Sequence, residues 1–282
     1  MSHRDLDQLQ TILYNSVNKI EGKTCLAFSG GVDSSLLARL LDNWGFDYSL
    51  VSISFEIGDE SKYIREVAEE FEGDLYFREI PPSELERGLI TTLETIEYER
   101  IALLENALGY YFIFKLAASN GFSTVLSAHG VDELFCGYDV YRREYGKMDL
   151  PSLIDELTRI AIRDNQIIEK IADLFNVSYH CPFLEDEFIE YSKTIPLDQK
   201  ILDENDKLRK HYIREQASDL SLPVRIAYRK KSSLQYSSGL HKSLRRLSRE
   251  NGYSNKKGRK LGYESGMMAY ILELKKDLSS EY

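Results

Sequence analysis

The residues best suited to chemistry in this chain form a short glycine turn, SGGVDSS, at Ser29 to Ser35. A strand-length apolar run precedes the turn, and leucines at helical spacing follow it: Leu36, Leu37, Leu40 and Leu41. The adjacent Gly30 and Gly31 let the backbone approach a ligand closely, while serine hydroxyls and the first N–H groups of the helix attract an anion. The pattern predicts a phosphate-binding turn between a strand and a helix.

An acidic residue inside this turn, Asp33, points to a metal ion. Its carboxylate would repel a bare phosphate, so we expect Mg²⁺ between the carboxylate and the phosphate oxygens. A second carboxylate, Asp132, follows a predicted strand and reaches the same edge of a parallel sheet. Oxygen ligands suit this hard cation, so we predict that Asp33 and Asp132 share the metal. The alternative is that Asp132 only caps a helix.

The elements that must position these residues alternate between strand and helix. Apolar runs predict strands at 24–28, 48–55, 75–80 and 123–127, with helical patterns between them at 59–71, 83–96 and 100–118. This alternation is typical of an α/β fold with a parallel sheet flanked by helices, in which ligands lie beyond the carboxyl ends of the strands. Beyond residue 151 the pattern is mostly helical.

The chain divides into three parts on this reading. An N-terminal helix occupies 1–19, the main domain occupies 20–247, and the remainder occupies 248–282. Within the last part, the weakly hydrophobic stretch 248–260 predicts a mobile loop, and 266–278 predicts a final helix.

Composition limits the classes of protein to which this chain can belong. Its 282 residues carry a net charge of −10, which argues against broad non-specific binding to nucleic acid. No continuous apolar run reaches about 18 residues and the first residues are polar, so we expect a cytoplasmic protein without a membrane partner. Cys25, Cys136 and Cys181 are far apart and include no CxxC pair, which indicates neither a disulfide framework nor a zinc site.

Charge is unevenly placed along the chain. The segment from Lys207 to Lys260 contains 16 Lys or Arg and three acids, so it carries +13 and the remainder carries −23. Such a segment can neutralise a triphosphate and its leaving pyrophosphate, hold an RNA backbone, or form a solvated face. All three interpretations stay open at this point.

Five blocks in this sequence occur in the order seen in asparagine synthetases. They are SGGVDSS at 29–35, VLSAHGVDELFCGY at 125–138, PFLEDEF at 182–188, KLRKHYIRE at 207–215 and LPVRIAYRKK at 222–231. The first block is similar to the pyrophosphatase loop, or PP-loop, of enzymes that split ATP into AMP and pyrophosphate. Over about residues 20–245 the chain resembles the ATP-using synthetase domain of asparagine synthetases, which β-lactam synthetases share. The fold that this implies is that of the PP-loop ATP pyrophosphatases, also called adenine nucleotide alpha hydrolase-like.

The resemblance implies roles for individual residues. The turn would hold pyrophosphate through Ser29, Gly30, Gly31, Ser34 and Ser35, Mg²⁺ would lie on Asp33 and Asp132, and the nucleotide would contact Phe28, Phe55, Ser127 and Ala128. Lys231 matches a lysine expected to stabilise charge in the transition state, and Arg229 and Lys230 are expected to assist it. Lys231 can also be read as a solvated lysine in a basic run.

The sequence departs from the family at His129. Asparagine synthetases carry Glu at this position and β-lactam synthetases carry Tyr. An imidazole with a pKa near 6.5 suits a general base for the attacking nucleophile, or its presence marks a nucleophile other than ammonia. A structural hydrogen bond to the loop is the alternative.

The resemblance implies an AMP-forming ligase that uses ATP and Mg²⁺. We expect it to activate a carboxylate, most simply aspartate, as an acyl-adenylate for attack by ammonia or an amine. Residue 2 is Ser rather than Cys, and the family's glutaminase domain is not recognised, so a separate glutaminase subunit is a possible partner. We also expect a homo-oligomer. Two alternatives stay open: a PP-loop enzyme that modifies tRNA or another RNA, and a non-catalytic nucleotide-binding partner subunit.

Overall fold

The computed structural model describes residues 3–55, 59–229 and 238–280. A single parallel sheet of five strands forms the centre of this part of the chain, in the order β3-β2-β1-β4-β5. The strands are β1 (Thr24–Ala27), β2 (Tyr48–Ser54), β3 (Leu75–Glu79), β4 (Thr124–Leu126) and β5 (Ser178–His180). The strand order reverses at β1, which pairs with β2 on one side and β4 on the other. Ligands of such sheets bind in the crevice at this switch point.

Helices connect the strands and continue to the end of the described chain. They are α1 (His3–Val17), α2 (Val32–Asn43), α3 (Asp59–Ala68), α4 (Pro82–Thr95), α5 (Ile101–Ser119), α6 (Val131–Leu134), α7 (Asp139–Arg143), α8 (Leu150–Asp173), α9 (Asp186–Thr194), α10 (His211–Asp219), α11 (Val224–Ala227), α12 (Leu240–Glu250), α13 (Asn255–Lys260) and α14 (Gly266–Ser280).

Side-chain alternation along the strands builds one hydrophobic core on each face of the sheet. Leu26 of β1, together with its registered partners Leu50 and Leu126, packs against α1, α2, α9 and α10. The neighbouring Cys25 and its partner Val125 point to the opposite face, against α4, α5, α8, α12 and α14. Because both faces are covered, the central strands β1, β2 and β4 are buried along nearly their whole length, as expected of parallel strands between two helical layers.

Helix α5 is the central helix of the second layer. By length and composition alone it could cross a membrane, and 67% of its most apolar stretch is buried inside the protein. It contacts β2, α4 and α8. Its apolar character is accounted for by these contacts, as in the core helix of a globular domain.

The predicted α/β architecture with a flanked parallel sheet is confirmed. The four predicted strands are present, but the sequence reading missed β5, whose three residues are exposed or half-buried and therefore form no apolar run. The stretch 248–260, predicted as a loop, instead contains the end of α12 and the whole of α13. Ser254 caps α13 by accepting a hydrogen bond from the Lys257 backbone N–H. A serine at this position is a local signal for the start of a helix, but the low hydrophobicity of the stretch favoured the loop prediction.

Candidate active site

The glycine turn follows β1 and leads into α2, as predicted. Gly30 has φ +68°, a left-handed conformation that favours glycine, and Gly31 is the residue before the helix. The Ser29 hydroxyl lies 3.1 Å from the Ser34 hydroxyl and accepts a hydrogen bond from the Gly31 backbone N–H. These bonds close the turn on itself and hold the first N–H groups of α2 at the carboxyl edge of the sheet, where an anion would be stabilised.

A cavity of about 410 Å³ opens beside this turn, at the switch point between β1 and β4. It extends from the turn to the space between α5 and α8. Ten of the residues predicted for the site line it: Phe28, Ser29, Gly31, Asp33, Ser34, Ser127, Ala128, His129, Asp132 and Arg229. Segments more than a hundred residues apart therefore meet at one cavity.

Other predicted site residues lie elsewhere. Ser35 is fully buried behind the turn, and Gly30 is not in the cavity lining. Phe55 is also outside the lining; its ring packs edge-on against Phe112, and its backbone N–H donates to the Ser238 carbonyl at 2.7 Å. Phe55, which we expected to contact a nucleotide, therefore does not line the cavity. Lys230 and Lys231 lie outside the described residues.

The two carboxylates predicted to bind a metal ion, Asp33 and Asp132, both contact the side-chain ammonium of Lys210. Lys210 Nζ lies 2.6 Å from Asp33 Oδ2 and 2.5 Å from Asp132 Oδ1. Its side chain is only 2% exposed. Burial by itself lowers the pKa of Lys210, but the carboxylates of Asp132 and Asp33 outweigh burial and raise that pKa above its ordinary value. Lys210 is therefore a charged ammonium in the folded protein.

An unusual backbone conformation delivers Lys210 to this position. Arg209 and Lys210 both have φ +54°, a conformation that costs non-glycine residues about 1 kcal/mol or more each. The Asp206 carboxylate accepts hydrogen bonds from the backbone N–H groups of Leu208 and Arg209, which holds this bend. Burial raises the pKa of Asp206, but hydrogen bonds from the backbone N–H groups of Arg209 and Leu202 and the contact with His211 outweigh burial, so the net shift is downward and the carboxylate stays charged.

Arg214 connects the same bend to the segment that ends at Arg229. Its guanidinium is almost fully buried and donates to the carbonyls of Leu208, Arg209, Ala227 and Arg229. One side chain thus links the loop that carries Lys210 to the chain that leads on to residue 230. Arg229 itself stacks its guanidinium on Tyr63 at 3.6 Å from the ring centroid, at the rim of the cavity.

The donor set of this site fits Mg²⁺. Two carboxylates from different elements reach one cation position, as the contacts to Lys210 demonstrate. Among the described residues there is no group of three or more His, Cys, Asp and Glu side chains that could hold a metal. Mg²⁺ is commonly bound by one or two carboxylates together with substrate phosphates and water, so two carboxylates beside a phosphate turn suffice.

His129 belongs to a network of hydroxyl groups at the end of β4. Its Nδ1 lies 3.0 Å from the Tyr179 hydroxyl, and its backbone N–H donates to the Ser127 hydroxyl. That serine hydroxyl also lies 2.6 Å from the Tyr110 hydroxyl. Burial raises the pKa of Tyr110 and Tyr179 above the ordinary range, so both phenols stay protonated. The network fixes the orientation of the imidazole at the cavity wall.

The far end of the cavity carries charges of both signs. Arg100, which precedes α5, forms an ion pair with Asp164 of α8, and both residues line the cavity with Asn106. Leu157, Ile160 and Ala161 of α8 provide apolar surface beside them. A small molecule with a polar head and a short apolar part would be complementary to this end.

Sequence reasoning missed several of these residues. Lys210 and Arg214 lie within the block KLRKHYIRE, but nothing in their local pattern distinguishes them from surface cations. Tyr179 and Tyr110 are ordinary aromatic positions in the sequence. Arg100 and Asp164 are 64 residues apart, and only the fold brings them into contact.

Comparison with known proteins gives a consistent assignment. The model of the family described as asparagine synthase matches residues 8–176 and 153–265. A protein of Methanocaldococcus jannaschii, named as a glutamine-hydrolysing asparagine synthetase, is 26% identical over 89% of this chain and 53% of its own length. Asparagine synthetase B of Escherichia coli, also named as glutamine-hydrolysing, is 23% identical over 75% of this chain and 40% of its own length. The chain thus spans about half the length, or less, of these curated relatives.

One solved structure, an NH3-dependent NAD synthetase from Campylobacter jejuni in complex with the nitrate ion, matches over 98% of this chain and 95% of its own, with 13% identity and a TM-score of 0.43. The family match covers nearly the whole chain and includes the turn after β1, the segment after β4 and the Lys210 loop. On this ground, the chain belongs to the asparagine synthase family.

Proposed function

We propose that this protein is an ATP-dependent, AMP-forming ligase of asparagine synthetase type. It activates a carboxylate, with aspartate as the first candidate, and joins it to ammonia or an amine. The observation that carries the proposal is the meeting of Asp33, Asp132 and the Ser29–Ser35 turn at one cavity beside the switch point. Family membership and the PP-loop type of this turn support it.

The turn and the two carboxylates account for binding of a triphosphate. The β- and γ-phosphates would lie against Ser29, Gly31 and Ser34, since these residues line the cavity at the start of α2, where an anion is stabilised. Asp33 and Asp132 would hold Mg²⁺, which supplies charge neutralisation to the leaving pyrophosphate. Lys210, which lines the same cavity, would release one or both carboxylates to the metal.

The first chemical step joins the substrate carboxylate to the nucleotide. A carboxylate oxygen attacks the α-phosphorus of ATP, the bond to the bridging oxygen breaks, and pyrophosphate leaves with that electron pair. Cations near the α-phosphate stabilise the charge that develops during this displacement. Arg229 lies at the cavity rim, and the chain leads from it directly to Lys231, so these two residues are our candidates for that role.

The second step transfers the acyl group to nitrogen. Ammonia or an amine attacks the acyl carbon, AMP leaves, and the nitrogen must lose a proton. His129 can accept this proton at Nε2 if its Nδ1–H is donated to the Tyr179 oxygen, a tautomer that the 3.0 Å contact permits. Tyr179 would then be a positioning residue for the base.

The test is release of AMP and pyrophosphate from Mg·ATP, measured with and without aspartate and ammonium. Wild type is compared with Asp33→Asn and Lys231→Ala, and with Asp47→Asn as the matched control, because Asp47 is an exposed carboxylate remote from the cavity lining. We expect aspartate-dependent AMP release in wild type and in the control, and a loss of at least about 100-fold in the two site variants.

Each outcome has a defined consequence. If AMP forms only with a carboxylate other than aspartate, the ligase assignment stands and the substrate changes. If ATP binds but no AMP forms with any carboxylate or amine, the ligase proposal fails in favour of a nucleotide-binding partner. If AMP formation requires added tRNA, the RNA-modifying alternative replaces it.

A further inference from the structure

A second cleft of about 210 Å³ lies between α12 and the segment that joins α13 to α14. Its lining includes His241, Arg245, Arg249, Tyr253, Asn255 and Ser265. None of these residues lines the cavity beside the glycine turn. The chain has 46 acidic residues and a net charge of −10, yet the lining of this cleft contains two arginines and no carboxylate. Such a lining favours a negatively charged ligand.

The two arginines are placed to act together. Arg245 and Arg249 are four residues apart on α12, so they project from one face of the helix about 6 Å apart along its axis. Within the described ranges, neither guanidinium has an ion pair or a side-chain hydrogen bond. Two guanidinium groups on one wall of a cleft can donate paired hydrogen bonds to the oxygen atoms of a phosphate group.

Three of the carboxylates around the cleft are engaged with other groups. Glu105 accepts from His241 Nδ1 at 2.7 Å, and Glu86 accepts from Tyr270 and Asn251. Glu250 faces Arg246 on the other side of α12.

Neutral donors complete the opposite wall. The Asn255 side-chain oxygen accepts from the Gly266 backbone N–H, so its amide nitrogen is available as a donor. The Ser265 hydroxyl accepts from the Met268 backbone N–H and can donate its own proton. Around the cleft, exposed residues of 242–260 include eight Lys or Arg and one acid. A ligand entering the cleft therefore approaches through a positive surface.

We propose that this cleft binds a phosphate group of an anionic ligand. The proposal goes beyond the ligase reaction, because it concerns residues that the reaction does not use. It also gives part of the basic C-terminal segment a role separate from neutralising the triphosphate. The phosphate can belong to a free ion or to the backbone of a single-stranded RNA, and the chemistry of recognition is the same.

Binding is measured on the full chain with two probes. Inorganic phosphate is titrated by calorimetry, and a fluorescein-labelled single-stranded RNA of twelve nucleotides is titrated by anisotropy at several salt concentrations. The cleft variant is Arg245→Gln with Arg249→Gln. The matched control is Arg246→Gln with Lys256→Gln, which removes the same charge from the same basic surface outside the cleft lining.

We expect the affinity of the cleft variant for at least one probe to fall by about tenfold or more. The affinity of the control variant should stay within about twofold of wild type. If RNA is the ligand, the slope of log K against log salt becomes shallower by about 0.7 for each phosphate that is no longer neutralised, in the cleft variant alone. If phosphate alone responds, a free anion is the ligand. The proposal is overturned if neither probe binds, if the cleft variant binds as wild type does, or if both variants weaken equally.

Discussion

Lys210 Nζ lies 2.5 Å from Asp132 Oδ1, at the position where a metal ion would be expected. The same nitrogen contacts Asp33, so the ammonium joins the turn after β1 to the segment after β4. Two carboxylates would otherwise face each other there, and like charges at short range disfavour the folded state. The ammonium therefore stabilises this edge of the cavity by compensating both carboxylates.

Replacement of Lys210 should leave Asp33 and Asp132 without their cation, so that Mg²⁺ binding to these two carboxylates can be measured. We expect Lys210→Met without metal to lose about 3 kcal/mol of unfolding free energy, because removal of one partner leaves buried charge uncompensated. Mg²⁺ should restore much of this loss, since the divalent cation binds the two carboxylates in the folded state only. Thermal unfolding with and without Mg²⁺ measures both effects.

The double variant Lys210→Met with Asp132→Asn is the control for this experiment. Only one carboxylate remains, so Mg²⁺ should stabilise it much less than the single variant. Equal stabilisation of wild type, single variant and double variant by Mg²⁺ would place the metal elsewhere.

Gly137 is required by the space around this ion pair. A Cβ atom at this residue would lie 1.9 Å from Asp132 Oδ1 and 2.2 Å from Lys210 Cε. Gly137→Ala should therefore displace the carboxylate and lower AMP formation about 100-fold, the cost of a misplacement of about 1 Å. Gly121→Ala is the matched control: its φ is +76° but no heavy atom lies within 4 Å of the added Cβ, so it should lose stability and keep activity.

Local pattern was sufficient to predict the parts of the site that depend on neighbouring residues. The strand, turn and helix from Thr24 to Asn43 required only an apolar run, two glycines and helical periodicity. The position of Asp132 beside Asp33 followed from a general property of parallel sheets, whose strand ends share one edge. The structure confirms that both carboxylates reach this edge.

Contacts across long separations could not be predicted in this way. Lys210 and Asp33 are 177 residues apart. The bend at Arg209 that brings them together contains no glycine from which it could have been predicted. Tyr179 contacts His129 across 50 residues from a strand too short to produce an apolar run. One sequence carries the periodicity of each element but not the pairing between elements.

Tyr179→Phe tests the role of His129. If the Tyr179 oxygen orients the base, its removal should slow amide formation roughly tenfold or more and leave the exchange of pyrophosphate into ATP unchanged, because the first step does not use His129. The two rates are measured separately on the same preparation. Equal loss in both would assign Tyr179 to the shape of the cavity, and no loss in either would remove Tyr179 as the positioning residue of His129.

Lys200 is a second buried lysine, and it has no carboxylate within ion-pair distance in the described part of the chain. It is 4% exposed, donates to the Ser192 carbonyl at 2.7 Å and faces the ring of Phe135. Burial lowers the pKa of Lys200 to about 8, and Cys136 and Asp155 only partly oppose this. At pH 7 the lysine is charged in both the folded and the unfolded chain, so the cost of burying the charge is fully present.

Lys200→Met should therefore raise the unfolding free energy at pH 7 by roughly 1–3 kcal/mol, allowing for removal of the hydrogen bond to Ser192. Between pH 8 and about 10.4 the unfolded wild-type chain holds more protons on this lysine than the folded chain does, so wild-type stability gains on the variant as pH rises. The difference should shrink toward zero near pH 10.5. Denaturant unfolding across this range checks it, with Lys62→Met, which replaces an exposed lysine, as the control. A Lys200→Met difference that stayed constant with pH would mean that Lys200 titrates at its ordinary pKa in the folded protein.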